Sequence, residues 1–274
     1  MDNSKSYLIL MSNNIKFGAS YNVFDGIELL EGSIKSIRES VDFISVVYQN
    51  VSNSGQETDE DIKGLLDNLK GLGLVDEIFL YNPKLNMGLH WNELEKRKIG
   101  VYLSQNADCK YHLSADCDEF YLKEQLEYVK KCYLDDETID GGYCQMQTFF
   151  KEPTFRVKPD NQYFVSLFFN VENDNNYILG LNGVVICDPT RNMKCNNPKI
   201  FKREEVEMYH YSFVRKNIMK KTNNSSSKSA YNYDLNEFDK QFKNYNVGDS
   251  FFTTDLNSKK ETTYLVKNIF NINI

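Results

Sequence analysis

Over the first 125 residues, short apolar runs alternate with stretches of helical periodicity, and this alternation constrains the fold more than any other feature of the chain. The stretch "IKFGASYNVFDG" begins as an alternating strand and ends in a turn marked by Asn22, Asp25 and Gly26. In "IELLEGSIKSIRES", Leu29, Leu30, Ile34 and Ile37 recur at helical spacing. "VDFISVVYQN" is apolar almost throughout, as a strand covered on both faces must be, and it empties into the polar loop "VSNSGQ". An amphipathic helix ("DIKGLLDNLKGLG"), a third strand ("VDEIFLYN"), a third helix ("NELEKRKIGVYLSQNA") and a fourth strand ("KYHLSAD") follow. Strands separated by helices pair in parallel through right-handed crossovers, so the expected class is α/β, with a mostly parallel central sheet flanked by helices.

Beyond about residue 125 the pattern changes. "GGYCQMQTFFKEP", "YFVSLFFNV" and "GVVICDP" are short strand-like runs broken by turn residues. "TNNSSSKS" is a polar loop of low complexity, and the tail "TTYLVKNIFNINI" again reads as strand. The expected organisation is an α/β half over 1–125 and a strand-rich half over 126–274. There is no internal repeat and no linker between them, so both halves are expected to share the core of one continuous domain. A chain of 274 residues is long enough for that.

A net charge of −7 and a pI near 5.2 argue against sequence-independent nucleic-acid binding, which needs a basic surface. No apolar run approaches membrane-spanning length, and "YLILM" is too short for a signal segment. The chain therefore reads as cytoplasmic, without an integral membrane segment. Six cysteines at irregular spacing, with no CxxC pair, are expected to be reduced and mostly buried.

The stretch "YHLSADCDEFY" places Asp116, Asp118 and Glu119 directly behind the fourth apolar strand. Ligands of open α/β sheets bind beyond the carboxyl ends of the strands. Period-two alternation lets Asp116 and Asp118 point one way and Cys117 the other. Two carboxylates converging there form a hard oxygen site suited to Mg²⁺ or Mn²⁺, and without a cation they would repel. The plainer alternative is a solvated turn in which Asp118 or Glu119 caps the helix near "YLKEQLEY".

"SADCDEF" resembles the DxD motif of GT-A fold glycosyltransferases, metal-dependent enzymes that transfer a sugar from a nucleotide-sugar donor. "ASYNVFDGIELLEGSIKSIRESVDFISVVYQNVSNSG" is similar to the first strand, helix and second strand of their family-two-like members. "YNPKLNMGLHWNELEKRKIGVYLSQNADCKYHLSADCDEF" resembles the stretch leading to the metal, and "MYHYSFVRKNIMKKTNNSSS" resembles a C-terminal His segment. The likeness runs from about residue 15 to about 225. Two departures are visible. "YQN" replaces the acidic residue usual after the second strand, and the QxxRW motif of processive synthases is absent.

The resemblance implies a GT-A-type single domain with Mn²⁺ or Mg²⁺ as cofactor, a UDP- or GDP-linked sugar donor and a glycan or lipid-linked acceptor. It implies Asp118 as the direct metal ligand, Asp116 on the metal through water or on the ribose, and His210 as a third ligand through a neutral imidazole. Ser20, Tyr21, Asn22, Gln49 and Asn50 fall where such enzymes receive the base and ribose. Arg215 and Lys221, with Lys220, fall where the diphosphate is neutralised. Asn224 and Ser225 lie in a segment able to close over the donor. Among Lys96, Arg97 and Lys98 one is expected to reach the donor, with Lys98 the choice, while the others are solvated. His112 is expected to be structural.

Transfer with inversion needs a carboxylate to take the acceptor proton, and Glu152 in "TFFKEPTF" is the first candidate, with Asp188 in "ICDPTR" second. A retaining reaction would need neither. Two alternatives stay open: another metal-dependent α/β enzyme acting on nucleotides, such as a nucleotidyltransferase or phosphohydrolase, and a non-catalytic carbohydrate-binding relative. The first of these lacks its usual mark, since neither "GLGL" nor "DGG" follows a strand and opens a helix.

Overall fold

The computed structural model describes residues 15–172, 176–180, 184–224, 234–251 and 261–274. The first half is a strict alternation: β1 (Lys16–Val23), α1 (Ile27–Arg38), β2 (Phe43–Tyr48), α2 (Ile62–Gly71), β3 (Glu77–Leu80), α3 (Leu89–Asn106) and β4 (Cys109–Asp116). After β4 come β5 (Glu119–Phe120), α4 (Lys123–Asp135), β6 (Gly141–Phe150), β7 (Phe155–Lys158), β8 (Phe164–Ser166) and β9 (Phe169–Asn170). β10 (Tyr177–Ile178), β11 (Asn192–Met193), β12 (Pro198–Ile200) and β13 (Glu207–Phe213) follow. The chain closes with α5 (Ile218–Asn224), α6 (Leu235–Asn244) and β14 (Thr262–Leu265).

One sheet has the order β3-β2-β1-β4-β9, parallel except for the antiparallel edge strand β9. Its central strands β1 and β4 are buried almost end to end, and they bury Ser20, His112 and Ser114 along with their apolar residues. The second sheet, β14-β7-β6-β13-β5, mixes directions, with β6 and β13 parallel and β5 antiparallel to β13. The expected α/β class and mostly parallel central sheet are what the chain forms. The tail is the exception: only Thr262–Leu265 is strand, and Asn268 turns the chain by bonding Ile272 through both its side-chain oxygen and nitrogen.

The main apolar core joins the two halves. Phe17, Tyr111 and Leu113 from the parallel sheet pack in one cluster with Leu167, Phe168 and Met208. Phe17 stacks on Tyr111 at 4.9 Å and meets Phe168 edge-on at 5.0 Å. Aromatic pairs in these geometries contribute about 0.5–1.5 kcal/mol each beyond the area they bury. None of the helices described is long and apolar enough to cross a membrane. All six cysteines are free thiols, four of them buried.

Candidate functional site

β4 ends at Asp116, in register with Asn22 at the end of β1, so the acids follow the carboxyl ends of the two central parallel strands. Cys117 turns into the main core, while the Asp116 side chain stays 38% exposed. β5 starts at Glu119, and its antiparallel pairing with β13 sets His210 opposite Glu119. The Tyr211 amide donates to the Asp118 carbonyl at 2.8 Å, fixing that alignment. Residues some ninety positions apart in sequence are thereby joined by one short β-ladder. The turn does not cap the next helix, since α4 is preceded by Leu122 with no side-chain cap.

Three guanidiniums meet the three acids. Arg97 of α3 donates from Nη2 to both Asp116 oxygens at 3.3 Å, and its other nitrogens reach Ser114 Oγ and Thr190 Oγ1. Arg191 donates to Asp116 Oδ2 at 2.6 Å and to both oxygens of Glu119. Arg215 donates to Asp118 Oδ2 at 2.5 Å. The repulsion expected of bare acids is thus offset by arginines of the chain itself. Asp118 Oδ1 is left facing His210 Nε2 at 3.8 Å, too far for a hydrogen bond. Asp118, Glu119 and His210 bring potential ligand atoms within 4.8 Å of one another, a donor set of two carboxylates and an imidazole that could hold a metal ion.

The protonation states follow from burial and these partners. Burial opposes the charges of Asp116 and Asp118, but the guanidiniums outweigh it and hold both carboxyls below the usual range. Burial pushes Glu119 upward against the pull of Arg191. His210 is pushed down to about 4, chiefly by burial and also by Lys221 and Arg191, with Asp118 opposing. Its imidazole is neutral at pH 7, the form that can ligate a metal.

A cavity of about 410 Å³ has in its wall Arg215, the guanidinium partner of Asp118. The start of α1 (Asp25, Gly26, Ile27, Glu28), Glu60 and Leu65, and the basic residues Arg215, Lys216, Lys220 and Lys221 line it. Gly26 is required there: its φ is 72°, and a β-carbon would lie 1.5 Å from Arg215 Nη1. Lys220 bridges Asp59 and Glu60 at 2.5 and 2.7 Å, tying α5 to the segment just ahead of α2. Four basic side chains face three acids, Asp25, Glu28 and Glu60, in this wall, and the amino end of a twelve-residue helix adds positive potential there.

The remaining residues singled out in the sequence are dispersed. Among the described residues, Asn22 has both side-chain polar atoms buried without a partner, and Gln49 has one such atom while its amide reaches Asn53. Asn50 is exposed. Ser20 and Tyr21 are fully buried, the former on His112 and the latter on Ser33. Lys98 lies on the outer side of α3, 3.8 Å from Glu95. Asn224 is the last residue of α5, and Ser225 lies outside the described residues. Glu152 lines a second cavity of about 260 Å³ whose wall includes Lys151, Arg215, Lys216 and Phe242. Asp188 accepts from Thr190, which in turn accepts from Arg97, so it joins the acid cluster at two removes. His112 is fully buried and held by Ser20 and Ser104, a structural placement.

The charge run "EKRK" is not a solvated face. Lys96 and Arg97 are buried, 5% and 3% exposed, because α3 is covered over a wide arc. The signal was present: Arg97 stands three residues after Leu94 and four before Val101, both buried. Arg191 had no such signal. It follows an Asp188–Thr190 turn in an irregular stretch, and only the tertiary fold brings it to Glu119.

No protein-family model and no curated protein matches the sequence. Among solved structures, the chain is similar to a crystal structure of S. aureus TarS 1–349, at 12% identity and a TM-score of 0.46, covering 83% of this chain and 68% of that one. A longer S. aureus TarS chain gives the same identity and TM-score, and this chain spans 42% of it. Mannose-1-phosphate geranyltransferase from Thermus thermophilus is similar at 10% identity and a TM-score of 0.29, over 57% of this chain and 50% of that one. These likenesses describe a general arrangement of strands and helices, and the functional reading rests on the side chains described above.

Proposed function

We propose that the chain is a metal-dependent glycosyltransferase that moves a sugar from a nucleoside-diphosphate sugar, UDP- or GDP-linked, to a hydroxyl of a glycan or lipid-linked acceptor. The observation that carries this reading is the Asp118–His210 pair after the carboxyl ends of parallel strands, joined through Arg215 to a cavity with four basic side chains in its wall. An unbonded carboxylate oxygen facing a neutral imidazole nitrogen fits a divalent cation such as Mn²⁺ or Mg²⁺, with Glu119 in reach. A cation held there supplies Lewis-acid stabilisation of the charge that grows on a departing diphosphate.

The chain's own residues do the rest. Arg215, Lys220 and Lys221 offset phosphate charge, and the start of α1 adds its dipole. Asn22, with an unpartnered carbonyl oxygen and amide, and Gln49, with an unpartnered oxygen, offer polar groups to the nucleoside. Asp116, held by Arg97 and Arg191, keeps an exposed edge for ribose or metal-bound water. If configuration inverts, Glu152 takes the acceptor proton, because its cavity shares Arg215 and Lys216 with the first. Asp188 is engaged by Thr190 and is the second candidate.

The test is thermal unfolding with UDP, GDP, CDP and dTDP in turn, with and without Mn²⁺. A nucleotide at about a hundred times its dissociation constant stabilises by about 2.7 kcal/mol. One nucleotide acting only with Mn²⁺, and not on Asp118→Asn, is the expected result. Equal shifts with and without Mn²⁺ would sink the metal-dependent reading, and no shift with any nucleotide would sink the donor.

A further inference from the structure

Arg191 differs in kind from the other two arginines of the cluster. Arg97 divides its donors between Ser114, Thr190 and Asp116, and it reaches the acid at 3.3 Å. Arg215 gives Nε to the Ser212 carbonyl and takes one oxygen of Asp118. Among the described residues, the guanidinium of Arg191 bonds carboxylates alone: Asp116 at 2.6 Å, and Glu119 at 2.5 and 3.1 Å through both its oxygens. Arg191 and Glu119 are 5% and 3% exposed, so this pairing is desolvated. Arg191 sits where a cation shared by two acids would sit.

Asp118, Glu119 and His210 bring ligand atoms within 4.8 Å of one another, yet Glu119 has no oxygen free of Arg191. An ion drawing on Glu119 must compete with a charge-assisted bond at whichever oxygen it takes and sit against a fixed positive charge. We propose that Arg191 sets the metal affinity of the site: it withholds Glu119 and Asp116 from a divalent cation and leaves Asp118 and His210 as the ligands. The inference rests on the reading of the site as one that takes a divalent cation. It makes Arg191 a positioning residue. A cation held by Asp118 and His210 alone would be held weakly and would draw further oxygen ligands from the diphosphate of a bound donor.

The test is calorimetric titration of the full chain with Mn²⁺ alone. Hard cations bind more tightly as carboxylates are added, so Arg191→Gln is expected to bind Mn²⁺ about tenfold more tightly or better than wild type. Arg191→Lys, which keeps the charge, should stay within about threefold of wild type. Adding Glu119→Gln to Arg191→Gln should return the affinity toward the wild-type value. Because Arg191→Gln leaves Glu119 unpaired and Asp116 on Arg97 alone, it is also melted in EDTA and in Mn²⁺. Recovery of a cooperative transition in Mn²⁺ supports the inference even where the variant does not fold in EDTA. Affinity no tighter than wild type, or no rescue by Mn²⁺, overturns it. Wild type that binds no Mn²⁺ while Arg191→Gln does would retain this inference and remove the metal from the proposed function.

Discussion

His112 and His210 are both drawn into the fold, and burial pushes both well below the usual imidazole range, to about 3 and about 4. They differ in what surrounds them. His112, on β4 beneath α3, has a serine hydroxyl at each ring nitrogen: Ser104 at 2.8 Å and Ser20 at 3.3 Å. A neutral imidazole with one donor and one acceptor is satisfied by that pair. His210, on β13, faces a carboxylate oxygen at 3.8 Å, with 24% of its side chain exposed. Depressed basicity therefore marks both a structural and a candidate ligating histidine. What separates them is whether the ring nitrogen is already occupied. Around His112 the core closes its polar groups on one another, and the ladder between β5 and β13 leaves one pair open.

The largest effect that would sharpen this contrast lies on the acid side. Asp118→Asn leaves Arg215 buried without its counter-charge, and breaking a buried ion pair from one side costs about 3–5 kcal/mol. Urea unfolding is expected to show that loss, together with loss of Mn²⁺-dependent nucleotide stabilisation. A variant as stable as wild type would mean that Arg215 and Asp118 are not the desolvated pair described here.

How far this site could be read in advance depends on which interactions are local. The alternation of β1 to β4, the turn after Asp116 and the inward side of Cys117 are set by period and strand length, and the folded chain has all three. The cluster's charge balance is non-local. Arg191 reaches Glu119 across 72 residues and Arg215 reaches Asp118 across 97, and no spacing within either segment encodes that meeting. The tail misled for a related reason: "TTYLVKNIFNINI" has strand-like residues throughout, but Phe270 packs on Phe120 and Tyr209 while Asn268 bonds Ile272, and these contacts turn the chain.

Acid should reveal the buried histidines next. Both are neutral in the fold, whereas an unfolded chain protonates them below about pH 6.5. Below that pH the unfolded state binds more protons, so stability rises with pH and is lost as pH falls from about 6.5 toward 4 for His210 and toward 3 for His112. For fully buried His112 the loss is on the order of 3 kcal/mol. Unfolding free energy followed from pH 7 to 4 should fall, and His112→Leu should flatten the slope. An unchanged slope in that variant would remove His112 as its source.

At neutral pH the two histidines should part company. His112→Leu leaves the Ser20 and Ser104 hydroxyls buried and unpaired, a loss of about 2 kcal/mol, with Mn²⁺-dependent nucleotide binding intact. His210→Gln removes a partly exposed ring with no hydrogen bond to Asp118, so its stability should change by less than about 1 kcal/mol while Mn²⁺ affinity falls. If the assignments were reversed, with His112→Leu abolishing metal binding, the occupied-nitrogen criterion would fail.

The smallest effect is expected at Lys98, next in sequence to Arg97. Its ammonium lies 3.8 Å from Glu95 and 6.0 Å above the Trp91 ring, with its side chain 36% exposed. An exposed pair of this kind contributes little, and Lys98→Ala should shift stability by no more than about 0.5 kcal/mol. Arg97→Met, one residue earlier, removes the guanidinium from Asp116, Ser114 and Thr190 together, so it should destabilise the chain strongly. Nucleotide titration of Lys98→Ala gives the sharper reading. Unchanged affinity fits a helix whose inward basic residues serve the cleft and whose outward one serves solvent. A tenfold loss would require α3 to turn Lys98 toward the donor when the site is filled.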